Sequence, residues 1–219
     1  MPGPRRLGLF GGTFDPVHIG HLTAAEAVRQ ALRLDAIWFL PAALPPHKLE
    51  YPISSFADRL AMLELAIGGR PACAVSALEA ELPKPSYTID TLRELRRQLG
   101  PLVELFFIMG LDAFAEIDTW KAYNKLLSLA SFAVLARPSH PLATAEAIIK
   151  RCFVDFCHDP VAQVWIAQER PGAIHVLNME PVPVSSTAIR QVVRNSGSIE
   201  PLVPAAVAAY IRDHRLYLA

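Results

Sequence analysis

The fold is constrained most by an alternation, along the first two-thirds of the chain, of short apolar runs with stretches of helical periodicity. The apolar runs of strand character are residues 6–10, 36–42, 103–109 and 132–136. The third run, VELFFIM, is apolar almost throughout, which is typical of a strand buried on both faces of a parallel sheet. This alternation predicts βαβ units, and therefore an α/β fold with a doubly wound parallel sheet.

Helices are predicted between these strands. Ser55 and Asp58 form a capping box ahead of one helix, residues 88–99 repeat the helical pattern, and residues 123–129 form a further helical stretch. The apolar face predicted for the first of these helices consists of Phe56, Leu60, Leu63 and Ile67.

Composition limits the classes of protein that the chain can belong to. Its 219 residues allow one domain with a substantial core, so we expect a single domain over residues 1–219. The 21 acidic and 21 basic residues balance, which gives no support to nucleic-acid binding over an extended surface. The three cysteines form no CxxC pair, which indicates a reducing compartment rather than disulfides or structural zinc.

No membrane association is expected. Arginines precede the first apolar run as they would in a signal peptide, but Gly11, Gly12 and Asp15 interrupt it early, so it is better interpreted as a strand. No window approaches the roughly 20 apolar residues of a membrane span. We therefore expect a cytoplasmic protein, and the sequence leaves its oligomeric state open, a homo-oligomer included.

Residues 11–21, GGTFDPVHIGH, follow the first predicted strand and predict a phosphate-binding site. Gly11 and Gly12 would let the backbone turn and approach a ligand closely, and Pro16 suits a first helical turn. His18 and His21 would then share one face at the helix start, where free backbone N–H groups favour an anion.

Two other interpretations of the histidines remain open on spacing alone. The pair could bind a metal together with Asp15, or could be ordinary polar residues at a helix start. Other phosphate-binding designs are disfavoured, because Gly8, Gly11 and Gly12 do not spell GxGxxG and the chain has no GxxxxGK[ST] loop. Residues 110–112, GLD, follow another strand and should lie at the same edge of the sheet.

The second motif, VSSTAIR at residues 184–190, is predicted to begin a helix. Ser185, Ser186 and Thr187 can cap that helix and donate to phosphate oxygens, and the Arg190 guanidinium suits bidentate phosphate contact. A capped surface helix without a ligand is the alternative.

The complete string at residues 11–21 resembles the signature of the HIGH-motif nucleotidyltransferases, and GGTFDP narrows the resemblance to the nicotinate mononucleotide adenylyltransferases. SSTAIR is similar to the ISSTxxR element of the same superfamily. The segments PPHK (45–48), SYTIDTL (86–92) and FIMGLD (107–112), followed by Trp120, also resemble that branch, and residues 202–217 resemble its closing helix. The apolar stripe of that helix is predicted to be Val203, Val207 and Tyr210.

The resemblance implies a Rossmann-like nucleotidyltransferase fold with a short helical extension at about residues 184–219. It also implies transfer of the adenylyl group of ATP to nicotinate mononucleotide. The residues implied to be catalytic are His18, His21 and Arg190. Those implied to bind ATP are Gly11, Gly12, Thr13, Phe14, Gly110, Asp112, Ser186 and Thr187. Those implied to bind nicotinate mononucleotide are Lys48, Tyr87, Thr88 and Trp120.

Mg²⁺ is the implied cofactor, bound through the substrate phosphates rather than by a protein cage. Trp120 could instead be the apolar anchor of its helix, and Lys48 an ordinary loop lysine. Three rival functions stay open: the same fold acting on nicotinamide mononucleotide or phosphopantetheine, a non-catalytic nucleotide-binding protein, and a zinc hydrolase that uses His18, His21 and Asp15.

Overall fold

The structure of the protein is a computed structural model that describes residues 5–44, 53–136, 142–180 and 182–218. The strands of these residues are β1 (Arg6–Gly12), β2 (Ala36–Pro41), β3 (Cys73–Val75), β4 (Glu104–Gly110), β5 (Ser131–Ala136), β6 (Cys157–Asp159), β7 (Val164–Ile166) and β8 (Ala173–Asn178). The α-helices are α1 (Ile19–Ala31), α2 (Phe56–Ile67), α3 (Leu78–Glu81), α4 (Thr88–Leu99), α5 (Leu111–Ala115), α6 (Leu142–Cys152), α7 (Ser186–Arg194) and α8 (Ala205–Asp213).

The strands form one eight-stranded sheet in the order β3-β2-β1-β4-β5-β8-β7-β6. The first six strands in this order, from β3 to β8, pair in parallel. From β1 the chain builds the sheet first toward β2 and β3, and then on the other side of β1 through β4, β5 and β8. This confirms the predicted doubly wound fold. At the other end β7 and β6 pair antiparallel, so the sheet is mixed rather than parallel throughout.

Helices cover both faces of this sheet because its central strands are apolar on both sides. Along β4, Phe106 and Ile108 pack into a cluster with α1, α2 and α8, whereas Phe107 and Met109 pack into a second cluster with α4, α5 and α6. The alternation follows from the two-residue period of a strand. Because the helices cover the faces, the carboxyl ends of β1, β2 and β4 stay accessible at one edge of the sheet, next to the loops that follow these strands.

The buried face of α2 differs from the predicted one. Ser55 does cap the helix by accepting the N–H of Asp58, but of the four predicted residues only Leu63 is fully buried. The buried residues of α2 are Arg59, Met62, Leu63 and Ala66. The helix is rotated because the Arg59 guanidinium points inward and donates to backbone carbonyls, which a pattern of apolar residues cannot reveal.

Three further boundaries need correction. The helix after β1 begins at Ile19 rather than at Pro16, because His18 has an extended backbone (φ −144, ψ 171) and acts as N-cap. The helical stretch predicted at residues 123–129 is a 3₁₀ helix over Tyr123–Ser128, and a second 3₁₀ turn covers Ile117–Thr119. The last helix, α8, is shorter than predicted.

The predicted stripe of α8 is confirmed in part: Val203 and Val207 are buried, and Tyr210 packs against the same cluster while partly exposed. The domain boundaries 1–219 stay a prediction. No helix in the described ranges is long and apolar enough to cross a bilayer.

Candidate active site

A cavity of about 720 Å³ opens at the carboxyl ends of β1, β2 and β4. Its wall brings together most of the residues that the sequence singled out. These are Gly11, Gly12, Thr13, His18, His21, Tyr87, Thr88, Gly110, Asp112 and Trp120. Their convergence from four separate segments agrees with the rule that ligands of open α/β sheets bind beyond the strand ends.

The end of β1 forms one side of the cavity. Gly11 and Gly12 still belong to the strand, so the predicted turn at these residues is wrong; the chain turns after them, at Phe14, which has φ 52. The missing Cβ atoms make room for neighbours instead, since a Cβ on Gly11 would lie 2.8 Å from the Phe107 ring and one on Gly12 would lie 2.9 Å from the Phe14 ring. The backbone can therefore face the cavity without a side chain.

His18 and His21 lie at the start of α1 and line the cavity with Gly20. The His18 N–H donates to Nδ1 of His21 over 3.3 Å, and the two rings stack with their centroids 3.7 Å apart. His18 is buried, with 5% of its surface exposed. The N-terminus of this 13-residue helix adds a favourable potential for an anion.

A second helix N-terminus also lines the cavity. Tyr87 is the N-cap of α4 in an extended conformation, and Thr88 is its first helical residue. Trp120 lies beside them with its ring edge-on to Phe107, at a centroid distance of 6.2 Å. A partly exposed aromatic ring next to helix N–H donors can hold a planar ring that carries an acidic substituent.

Lys121 also lines this wall and was not singled out from the sequence, although it directly follows Trp120. Its Nζ lies 2.7 Å from Oδ2 of Asp90 and 4.5 Å from the centroid of the Tyr87 ring. The ion pair and the cation–π contact hold a positive charge at the edge of the cavity.

Glu79, on α3, is a second residue of the wall that the sequence did not indicate. It is buried, and its Oε1 accepts a hydrogen bond from the Thr91 hydroxyl over 2.9 Å. Burial raises the pKa of this carboxyl, while hydrogen bonds from Thr91, Ser86 and the backbone of Ala43 act in the opposite direction. Its position in the four-residue helix LEAE, which also holds Glu81, gave no sequence signal that it faces the cavity.

Of the second motif only Val184 lines the cavity, and the rest of it lies outside the cavity wall. Ser185 caps α7 by accepting the N–H of Ala188. The hydroxyl of Ser186 donates to the Pro16 carbonyl over 2.9 Å, and Nη1 of Arg190 donates to the Asp15 carbonyl over 2.7 Å.

Ser186, Thr187, Arg190 and Phe14 do not line the cavity, and Phe14 is buried in the core. Their contacts with ATP therefore stay predictions. Asp15 does not line the cavity either, since its carboxylate accepts hydrogen bonds from Ser54 and Tyr217, so it does not join the histidines as a zinc ligand in this arrangement. Lys48, in PPHK, lies outside the described residues.

A divalent cation could be held here chiefly by its substrate. Among the described residues there is no cluster of three or more histidine, cysteine, aspartate or glutamate side chains that could cage a metal. The exposed carboxylate of Asp112 lines the cavity and can meet a hydrated hard cation. This donor set fits Mg²⁺ bound to phosphate oxygens and water.

A family model for cytidylyltransferase-like proteins matches residues 9–192. The chain therefore belongs to the cytidylyltransferase-like family. It is also 41% identical over 215 residues to a "Probable nicotinate-nucleotide adenylyltransferase" of Pseudomonas fluorescens, a match that covers 98% of this chain and 98% of the relative. A protein of the same description from Thermus thermophilus is 41% identical over 212 residues, covering 97% and 99% of the two chains. Within its family the chain thus belongs to the nicotinate-nucleotide adenylyltransferases.

The fold agrees with this placement. The nicotinic acid mononucleotide adenylyltransferase of Plasmodium falciparum, solved in complex with NaAD, superposes with a TM-score of 0.74 at 18% identity, covering 97% of each chain. A structure of a protein from Vibrio parahaemolyticus titled a nicotinate-nucleotide adenylyltransferase gives a TM-score of 0.64 at 15% identity, covering 97% of this chain and 95% of that one. At these identities the likeness establishes the nucleotidyltransferase fold.

Proposed function

We propose that this protein transfers the adenylyl group of ATP to nicotinate mononucleotide, which yields nicotinate adenine dinucleotide and pyrophosphate in NAD biosynthesis. The observation that carries the proposal is the meeting of two helix N-termini in one cavity, with His18 and His21 at one and Tyr87, Thr88 and Trp120 at the other. One side is suited to phosphates, and the other to an aromatic ring with an acidic substituent.

The attacking group is the 5′-phosphate of nicotinate mononucleotide, whose second pKa of about 6 leaves it largely ionised at neutral pH. One of its oxygens forms a bond to the α-phosphorus of ATP, the bond from that phosphorus to the bridging oxygen of the β-phosphate breaks, and pyrophosphate leaves with the electron pair. No protein nucleophile is needed. The protein must place the two phosphates in line and stabilise the charge that develops on them.

Different residues position the phosphates and stabilise their charge. His18 and His21 donate hydrogen bonds to the reacting phosphates, and the backbone of Gly11, Gly12 and Thr13 passes close to the nucleotide. Arg190, on α7, donates to the Asp15 carbonyl and so orients the loop between β1 and α1. Its guanidinium also adds positive charge on the triphosphate side. Mg²⁺, when bound, neutralises phosphate charge.

The pyridine ring of the acceptor lies against Trp120, with its carboxylate toward the N–H groups at the start of α4. Lys48 completes the acceptor side as a contact to its phosphate. The cytoplasmic location and any homo-oligomer stay predictions.

The test is pyrophosphate release by the purified protein with ATP and Mg²⁺, run in parallel with nicotinate mononucleotide and nicotinamide mononucleotide, with each dinucleotide identified by mass. Turnover of the acid form alone supports both the reaction and the acceptor. Comparable rates would mean dual specificity, and no release with either substrate would contradict the proposal and direct the search to phosphopantetheine or to a binding role.

A further inference from the structure

A buried polar network joins the segment after α8 to the loop of residues 13–18, between β1 and α1. The Tyr217 hydroxyl donates to Oδ1 of Asp15 over 2.7 Å, and Oδ2 of Asp15 accepts the Ser54 N–H over 3.2 Å. Only 3% of the Asp15 surface is exposed. Two residues 202 positions apart in sequence are thus in direct contact beneath the loop.

Arg59 holds the same loop from the side of α2. Its guanidinium is 1% exposed; Nη1 donates to the Thr13 carbonyl over 2.9 Å, and Nε donates to the Ser54 carbonyl over 3.1 Å. The positive charge of Arg59 also faces the Asp15 carboxylate. The loop is therefore fixed on both sides of its left-handed residue, Phe14.

The network lies behind the cavity and not in it. Thr13 and His18 line the cavity, whereas Asp15, Arg59 and Tyr217 do not. Side chains outside the cavity are thus hydrogen-bonded to the loop that carries Thr13 and His18. Tyr217 lies beyond the helix, since α8 ends at Asp213. Its backbone has φ 65, a conformation that bulky L-residues rarely adopt.

We propose that Tyr217 is a positioning residue for the reaction: its hydroxyl holds Asp15, and through Asp15 it fixes the loop that carries Thr13 and His18. The proposal rests on the proposed function for the role of that loop in binding phosphates. Burial, together with the neighbouring negative charge of Asp15, raises the pKa of the Tyr217 phenol, so the hydroxyl stays protonated and remains a donor. Small displacements of in-line groups have large effects on rate, which makes a remote support of this kind measurable.

The chain offers a matched control in Tyr210. Its hydroxyl donates to Oδ1 of Asp58 over 3.0 Å and joins α8 to α2 away from the loop. Tyr210→Phe and Tyr217→Phe each remove one hydrogen bond from a phenol to a carboxylate. We expect Tyr217→Phe to lower kcat roughly 10-fold with little change in the KM for nicotinate mononucleotide. Tyr210→Phe should keep the kcat of the wild type.

A double-mutant cycle tests the route of the effect. If Tyr217 acts through Asp15, kcat of the variant that combines Asp15→Asn with Tyr217→Phe should be no lower than that of Asp15→Asn alone. Equal kcat for Tyr217→Phe and the wild type overturns the proposal, as do losses that multiply in the double variant. Asp15→Asn keeps the phenol, so it still tests the link should Tyr217→Phe fail to fold.

A readout without turnover separates this proposal from the proposed function. The imidazole proton resonances of His18, assigned through His18→Gln, should shift in Tyr217→Phe and stay in place in Tyr210→Phe. This holds whether or not nicotinate mononucleotide is the acceptor. Unmoved resonances in Tyr217→Phe contradict the positioning role, whereas an inactive wild type contradicts only the proposed function.

Discussion

The imidazole rings of His18 and His21 lie stacked, with 3.7 Å between their centroids and 24° between their planes. Spacing along a helix brings residues i and i+3 to one face, and here His18 is the N-cap while His21 is the third helical residue. The pair therefore presents two imidazoles to the same part of the cavity, where a helix N-terminus already favours negative charge.

His21→Ala should lower kcat roughly 10²-fold, the magnitude of losing one donor that stabilises transition-state charge. The KM for ATP should change less, because the interaction strengthens as charge develops. His214→Ala is the matched control, since His214 is exposed and stacks on Tyr210 away from the cavity. Steady-state kinetics, with thermal unfolding to confirm folding, provide the measurement; unchanged turnover in a folded His21→Ala protein would refute the role.

Trp120→Ala should raise the KM for nicotinate mononucleotide about 10-fold or more, in line with the energy of stacking a planar ring on an indole. The KM for ATP should stay close to that of the wild type. Trp165→Ala, on β7 at the antiparallel end of the sheet, removes an indole that does not line the cavity. A larger effect of Trp120→Ala on ATP than on the acceptor would show that the two subsites are reversed.

The sequence predicted the elements best where one physical cause dominates. The apolar run of β4 and the periodicity of α4 give strong local signals, and both elements lie within one residue of their predicted bounds. β3, β6, β7 and β8 were missed: the first three have three residues each, and β8, AIHVLN, has no continuous apolar run because His175 interrupts it. The face of α2 was predicted wrongly since the inward position of Arg59 depends on carbonyls from distant segments.

The candidate site shows the same division. Motif residues such as His18 and Trp120 reach the cavity as expected, because they follow strand ends that the fold gathers at one edge. Glu79 and Tyr217 are placed by contacts across the chain, to Thr91 and to Asp15, and no local pattern marks them. Polar contacts between buried groups that are distant in the chain cannot be predicted from a single sequence.

His175 on β8 should make the stability of the fold depend on pH below about 6.5. Burial lowers the pKa of its imidazole, and the positive charge of Arg6 acts in the same direction. Between the lowered pKa and the unfolded value of about 6.5, the unfolded chain binds more protons than the folded one. The free energy of unfolding should therefore fall as the pH drops below about 6.5. His175→Gln should flatten this dependence.

Urea unfolding from about pH 8 to about pH 5 measures the effect of His175. His214→Gln removes an exposed imidazole and should leave the slope as it is in the wild type. A slope of equal size in His175→Gln and the wild type would assign the pH dependence to other groups.

Lys121 should contribute to the choice between the acid and the amide acceptor. Its ammonium stands at the cavity wall beside Trp120, held by Asp90 and the Tyr87 ring. Nicotinate and nicotinamide mononucleotide differ by one negative charge, so a nearby positive charge stabilises the acid form selectively. Because the Lys121 side chain is 47% exposed, solvent screens the attraction, and Lys121→Gln should lower the ratio of kcat/KM for acid over amide by about three- to fivefold.

Two comparisons make the measurement on Lys121 decisive. Lys125→Gln removes an exposed lysine that lies close by in sequence but does not line the cavity, and it should leave the acid-to-amide ratio unchanged. Raising the salt concentration should lower the ratio in the wild type and have little effect in Lys121→Gln, because salt screens only the charge that is present. A ratio that is unaffected by Lys121→Gln would contradict this role and assign the preference to the N–H groups at the start of α4.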